Sequence, residues 1–338
     1  VAPGYVTPWA APGMPGKVLR HALGRHSPVK FGWPLTAGDL SWMWQWLRAC
    51  RLEIYLANRS RMQRLAFYSR QRLHEVTADL KLVYDRSDGY MVLLRSAADQ
   101  AMVQPGLQVL RDAGAEFREI SAADARKLEP ALNPDTAIAG AIYLPQDEVG
   151  NCRQFALLLK NEAQRLGVKF RFGTAVSSLG NRNAVQLMLA GEAGALTCDG
   201  VVLCAGLDSA DLLRPLGLKL PLAAVHGYSL SAHIREPLNA PRSAVMDERY
   251  KVAISRLGQR VRVAGSAQIG GRLDRLQDSA VQTLYKVLHD WFPGAAQLGS
   301  GVQVWKGARP MLPDGPPVLG ASGIAGLWLN LGHGSSGW

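Results

Sequence analysis

Residues 168–206 read VKFRFGTAVSSLGNRNAVQLMLAGEAGALTCDGVVLCAG. Val168–Phe172 reads as a strand, and Thr174–Leu179, Val185–Leu189 and Leu196–Cys198 as three more short ones. The apolar run Val201-Val-Leu-Cys204 then enters the small turn Ala205-Gly206, as a buried strand does. Just upstream, Cys152–Leu166 is amphipathic and stops at Gly167, the pattern of a helix with a glycine C-cap. A helix, a strand, a meander of short strands and a buried strand, in that order, make up the second half of a doubly wound α/β fold.

Toward the N-terminus, residues 1–38 are rich in Pro and Gly and predict an extended, turn-laden segment. Helical spacing runs from Asp39 to about Leu80. A strand–turn–strand over Lys81–Tyr84 and Tyr90–Leu94, a helix over 98–113, a strand over Phe117–Ile120 and a strand over Ala137–Leu144 come next. Ser121 three residues before Asp124 predicts an N-cap. Toward the C-terminus, Ala223–Ser231, Ala244–Met246, Lys251–Ser255 and Arg260–Ala264 read as strands, interrupted by one helix around 278–291. This region predicts a second, mixed and largely antiparallel sheet. Pro317–Leu319 and Leu327–Leu331 return to the first body.

The 338 residues suffice for two domains, and hydrophobic residues at 48% with charged residues at 19% describe an ordinary globular chain. No apolar run approaches the roughly 18–20 residues of a spanning helix, and no secretory leader pattern opens the chain. The net charge of +11 favours anionic partners. No nucleic-acid-binding signature accompanies it, which argues against DNA or RNA. Much of the charge lies in one helical stretch, with Arg48, Arg51, Arg59, Arg61, Arg64, Arg70 and Arg72 against Glu53 before Glu75. That stretch reads either as a solvated helix face or as a surface that rests on acidic lipid or an anionic partner. Cys50, Cys152, Cys198 and Cys204 show no ligand or disulfide spacing, so they read as small core residues of a protein from a reducing compartment. No metal-binding spacing is present.

Three clusters carry candidate chemistry. Gly332-His333-Gly334, with Gly337 beyond it, matches G-x-G-x-x-G after an apolar strand. It reads either as a plain glycine turn or as a loop whose backbone N–H groups approach a ligand closely. Arg309, before a proline-stiffened turn at Pro310, has its direction set for a carboxylate; its alternative is an ion pair with Asp314 or a place on the surface. Tyr250, at the head of a strand after Asp247-Glu248-Arg249, either offers its hydroxyl to a carboxylate or fills a core.

Other segments belong beside these. They include Pro3-Gly-Tyr5 with Pro8-Trp-Ala-Ala-Pro12-Gly13, Trp42-Met-Trp44-Gln-Trp46, Leu144-Pro-Gln-Asp147-Glu148 and Gly227-Tyr-Ser-Leu230. Arg309-Pro310, Pro313-Asp-Gly315, Leu327-Trp-Leu-Asn330 and Gly332-His-Gly334 follow in order. Together they resemble the D-amino acid dehydrogenase family, small-subunit type, among the D-amino acid oxidase-like flavoproteins, and they run the length of the chain. The resemblance implies oxidation of D-amino acids to 2-oxo acids and ammonia by hydride transfer from Cα to FAD, with a quinone-type electron acceptor and no dedicated general base. It implies a Rossmann-like FAD-binding domain (1–80, 145–217 and 311–338) and a substrate domain (81–144 and 218–310). Arg309 then looks like the substrate-carboxylate clamp and Tyr250 its hydroxyl partner. Gly332, His333 and Gly334 look like the loop beside the flavin, Val176 the backbone near the adenine, and Ala205-Gly206 a turn packing on the cofactor. The family's first strand, phosphate turn and helix have no counterpart after Val1, nor its last helix after Trp338. The expectation is therefore a sequence cut at both ends, with the FAD domain lacking its first βαβ unit. A cytoplasmic location is expected, with peripheral docking to an anionic membrane. Two alternatives remain open: a glycine, sarcosine or other secondary-amine oxidase, and a non-catalytic remnant that binds lipid or protein.

Overall fold

The computed structural model describes residues 1–21, 24–181 and 185–338. It begins with helix α1 (Met14–His21), strand β1 (Val29–Gly32), α2 (Ala37–Ala49), α3 (Leu52–Asp79) and β2 (Arg86–Leu94). Next come α4 (Ala97–Asp112), β3 (Arg118–Ile120), α5 (Ala122–Leu128), β4 (Gly140–Gly150) and α6 (Cys152–Arg165). A run of short strands follows: β5 (Val176–Asn181), β6 (Val185–Leu189), β7 (Ala195–Cys198) and β8 (Val201–Leu203), then α7 (Ser209–Leu213). The rest comprises β9 (Ala223–His233), β10 (Ala244–Asp247), β11 (Val252–Leu257), β12 (Arg260–Gly270), α8 (Asp278–Trp291), β13 (Gln303–Met311), β14 (Val318–Ala321) and β15 (Leu327–Leu331).

Local chemistry sets the helix starts. Thr36 and Asp39 form a reciprocal capping box on α2, and Ser96, Ser121 and Asn151 cap α4, α5 and α6 through their side chains. Each cap satisfies an amide that would otherwise lack an acceptor.

The large sheet has the order β13-β9-β12-β11-β10-β2-β4-β3, with β1 also pairing β12. Its pairs are antiparallel except β10–β2 and β1–β12. One face buries Tyr228, Leu230, Val252, Ile254, Val261 and Val263 under Leu284, Val287, Leu288 and Trp291 of α8. Each such side chain stabilises the fold by about 1.5–3 kcal/mol. The other face packs Ala223, Val225, Ala267, Ile269 and Met311 against Trp42, Met43 and Trp46 of α2, with Trp9 and Leu35. A bulge in β12 between Gly265 and Gln268 makes this possible. Its extra residue reverses the side-chain alternation, so Ala267 and Ile269 face opposite to Val261 and Val263.

A second body holds the parallel pair β8–β15 with β14 on the far edge, and the meander β5-β6-β7. Leu179, Val185, Leu203, Leu213, Leu327, Leu329 and Leu331 close one core between the two small sheets. The chain is thus mixed α/β with a large mixed sheet.

Several local expectations differ from the structure. Residues 1–38 include α1 and β1; Pro15 sits in the first turn of α1, where its missing N–H costs nothing. Lys81–Tyr84 is no strand. Lys81 takes the left-handed position after α3 (φ 51) and the Leu82 amide returns to the Thr77 carbonyl at 2.9 Å, so these residues end a helix. Val168–Phe172 has no strand partner among the described residues, and Phe170 and Phe172 stack on each other at 5.5 Å. All four cysteines are free thiols and none is a buried core residue; Cys152 and Cys204 are exposed.

Candidate functional site

Arg309 lies within β13, opposite Val225 of β9. Two pairs away, Gly307 faces Gly227, so two strands present bare backbone side by side. A Cβ on Gly227 would stand 2.1 Å from Nη2 of Arg309, and one on Gly307 would stand 1.9 Å from the ring of Trp305. The guanidinium therefore lies over Gly227 and the indole over Gly307, on a flat floor that only glycine provides. Nη1 of Arg309 donates to the Ser266 carbonyl at 3.1 Å, and the Trp9 ring centroid lies 6.0 Å from its central carbon. No carboxylate pairs with Arg309 among the described residues. Burial pushes its pKa down to about 10. Asp314, its alternative partner, instead accepts from Asn58 through its backbone carbonyl (3.2 Å). A half-buried cation without an anion is costly to keep unless a ligand supplies the charge.

The strand end beyond Arg309 is tied to the glycine loop. Gly334 donates its amide to the Pro310 carbonyl at 3.0 Å, and Met311 forms a bridge with His333. Trp42 of α2 donates its Nε1–H to the Met311 carbonyl at 2.9 Å, fixing the same strand end from the other side. Gly332 (φ 77) and Gly334 (φ 60) are left-handed, and side chains of Leu312 and Met311 fill the space where Cβ atoms would stand. His333 pairs with Asn330 Oδ1 at 2.6 Å, and burial lowers its pKa.

β8 and β15 run parallel with Leu203 beside Leu329, so their carboxyl ends deliver Ala205-Gly206 and Gly332 to one rim. That is the side on which open α/β sheets bind ligands. The turn starting at Gly206 also touches β13. Gly206 is left-handed (φ 59), and no described residue lies within 4 Å of where its Cβ would stand, so another group can approach this backbone. Arg309, Ala205-Gly206 and Gly332-His333-Gly334 are thus gathered at one place. The glycine backbone, the open turn and the unpaired cation fit a flavin edge with an anionic substrate beside it.

Two expected residues are not gathered there. Tyr250 is half-buried in the α8 cluster. Its ring meets the His26 edge and the cations of Arg95 (5.1 Å) and Lys286 (5.4 Å), and its amide donates to Asp247 at 3.0 Å. Arg95 bridges Asp247 and Asp290 at 2.7 Å each. These contacts match the alternative reading of Tyr250 as a packing residue. Val176 opens β5, paired with Leu189 in the meander. Conversely, Trp9, Gly227 and Ser266 belong to the Arg309 surroundings without having been singled out for a role. Glycine inside the strand Ala223–Ser231 was the available signal for Gly227.

A family model described as FAD dependent oxidoreductase matches residues 9–338. The D-amino acid dehydrogenase of Bradyrhizobium diazoefficiens is 41% identical over 340 residues, which cover 100% of this chain and 80% of that protein. That of Rhodopseudomonas palustris is 39% identical over the same shares. Among solved structures, glycine oxidase from Bacillus cereus superposes with a TM-score of 0.71 at 20% identity, over 82% of this chain and 76% of that one. Iminodiacetate oxidase from Chelativorans sp. gives 0.70 at 21% identity, over 91% and 84%. At such identities these two structures speak to the fold alone.

Proposed function

This chain belongs to the FAD dependent oxidoreductase family, and on that premise we propose that it oxidises D-amino acids to 2-oxo acids. The observation that carries the reading is Arg309, a half-buried guanidinium with no anion beside it among the described residues, tied by its own strand to the glycine loop. Relatives about 40% identical over the whole chain bear the name D-amino acid dehydrogenase, which supplies the substrate class.

When bound, FAD supplies the two-electron acceptor for the α-hydrogen of the substrate. Arg309 binds the substrate carboxylate through the N–H groups not given to Ser266, two of which match the carboxylate oxygens in parallel. Gly227 lets the guanidinium lie flat, and Trp9 shields it from water. Ala205, Gly206, Gly332, His333 and Gly334 line the flavin side, so a carboxylate held at Arg309 presents its Cα toward that rim. Val176 stands further off, on the meander that we assign to the adenine side. Catalysis by these groups is chiefly positioning. The imino acid product reacts with water to give the 2-oxo acid and ammonia. The carboxylate clamp rests on Arg309, since Tyr250 is engaged elsewhere.

We further place the final electron acceptor in the quinone class and the docking face on an anionic membrane. No described helix is long and apolar enough to cross a membrane. Leu40, Trp44 and Leu47 recur at helical spacing on α2 and are exposed (55%, 62% and 44%), next to exposed Arg48 and Arg51. Trp33, just before the helix, is 80% exposed. Apolar side chains ringed by cations suit an interface rich in acidic lipid.

In the flavin-loaded enzyme, Arg309→Ala is expected to cost roughly 2–5 kcal/mol of substrate interaction. Steady-state turnover of D-alanine, sarcosine and D-proline with an artificial acceptor tests this. Near-normal D-alanine oxidation by the variant sinks the clamp, and a preference for sarcosine moves the enzyme to the secondary-amine oxidases.

A further inference from the structure

Ser266, whose carbonyl holds Arg309, has an unusual backbone. At φ 59 it is left-handed, a conformation that L side chains rarely adopt. It lies in the β12 bulge, where the pairing with β9 jumps from Gly265 to Gln268. A regular strand would direct the carbonyl of residue 266 into the sheet ladder. Here the bulge frees it from β9, and the carbonyl accepts from Nη1 of Arg309 at 3.1 Å. The following amide, of Ala267, is held by the Pro28 carbonyl at 2.8 Å, which anchors the bulge to the segment before β1. The serine hydroxyl is buried and makes no hydrogen bond among the described residues, so the side chain does not explain the conformation. What the site uses at this position is the direction of a carbonyl.

We infer that Ser266 is a positioning residue, whose left-handed backbone aims a carbonyl at Arg309 and so orients the guanidinium for the substrate carboxylate. The inference rests on Arg309 being the carboxylate clamp. A side chain branched at Cβ tolerates positive φ poorly, whereas glycine adopts it freely.

The test uses the flavin-loaded enzyme and propanoate, a carboxylate without an amine. Propanoate affinity, KM and kcat for D-alanine, flavin content and the thermal midpoint are measured for Ser266→Val, Ser266→Ala, Ser266→Gly and Arg309→Ala. The valine variant is expected to weaken propanoate binding and raise KM roughly tenfold or more, with kcat changed less and flavin retained. Alanine, which lacks the hydroxyl, and glycine, which fits the backbone, are expected to bind propanoate within about threefold of the parent. Where valine yields no flavin protein, Ser266→Thr takes its place, being β-branched but closer to serine. Parent-like binding by the β-branched variant, while Arg309→Ala has lost it, overturns the role of Ser266 and leaves the clamp standing. A loss in the alanine variant equal to that in valine also overturns it, because the hydroxyl would then be the working group. Undiminished binding by Arg309→Ala instead overturns the clamp itself.

Discussion

At the scale of single residues, Arg309 decides how the site responds to pH. Its pKa is pushed down to about 10 by burial, so the cation persists through the neutral range. Carboxylate binding needs that charge. Propanoate affinity is therefore expected to be level from pH 7 to 9 and to fall about tenfold per unit above pH 10. The sign for folding is opposite. The unfolded chain holds its proton to higher pH, so the penalty for burying this cation is relieved as pH rises through about 10. An inhibition series against pH checks the first statement, and a flat profile to pH 11 contradicts it. Gly227 supplies a second residue-scale test. The atoms a new Cβ would strike are the end of the Arg309 side chain, at 2.1 to 2.6 Å, and not backbone. A flexible side chain can move aside, so Gly227→Ala is expected to change stability by less than about 1 kcal/mol. Its KM for D-alanine is expected to rise roughly tenfold or more as the guanidinium is displaced. Denaturant midpoints and kinetics on one preparation separate the two effects; a large stability loss with KM intact means the glycine serves only the fold.

At the scale of elements, the site depends on α2 holding the end of β13. The indole N–H of Trp42 meets the Met311 carbonyl in a buried place, two residues from Arg309. Trp42→Phe keeps an aromatic ring but leaves that carbonyl unpaired, at a cost of about 1–3 kcal/mol. A lower urea midpoint with an unchanged slope is the expected signature; an unmoved midpoint means water or a neighbour replaces the bond. Elements also show where sequence patterns succeed. The helix around 278–291 was legible because Leu284, Leu288 and Trp291 repeat along one face, and the structure buries that face against the sheet. Lys81–Tyr84 misled because an apolar run after a long helix resembles a strand. Only the return of the Leu82 amide to Thr77 shows that those residues close α3.

At the scale of the molecule, the large sheet carries the cation and the small parallel pair carries the glycine rim. They meet through the Gly334–Pro310 and His333–Met311 pairings. The outer face of α2 adds a surface property. The protein is expected to sediment with vesicles containing anionic phospholipid and not with neutral ones, and Arg48→Glu with Arg51→Glu to release it, each cation contributing about 1 kcal/mol near such a surface. Equal sedimentation with both vesicle types removes the docking face, as does binding indifferent to salt.

The strands and the helix of the second half of the large sheet, its mixed character and the candidacy of Arg309 were legible in the sequence alone, whereas α1, β1 and the end of α3 were not. The legible features follow from local periodicity and from the chemistry of a guanidinium, although the turn expected at Pro310 is in fact part of β13, where Pro310 pairs with Ala224. The partners of that guanidinium were decided by tertiary structure. Gly227 lies beneath it because β9 and β13 pair in one register, and Ser266 reaches it because one extra residue in β12 shifts the pairing with β9. The same long-range packing sets Tyr250 among Arg95, Lys286 and His26. Register and bulges depend on residues far apart in the chain, and no local pattern encodes which of them will meet.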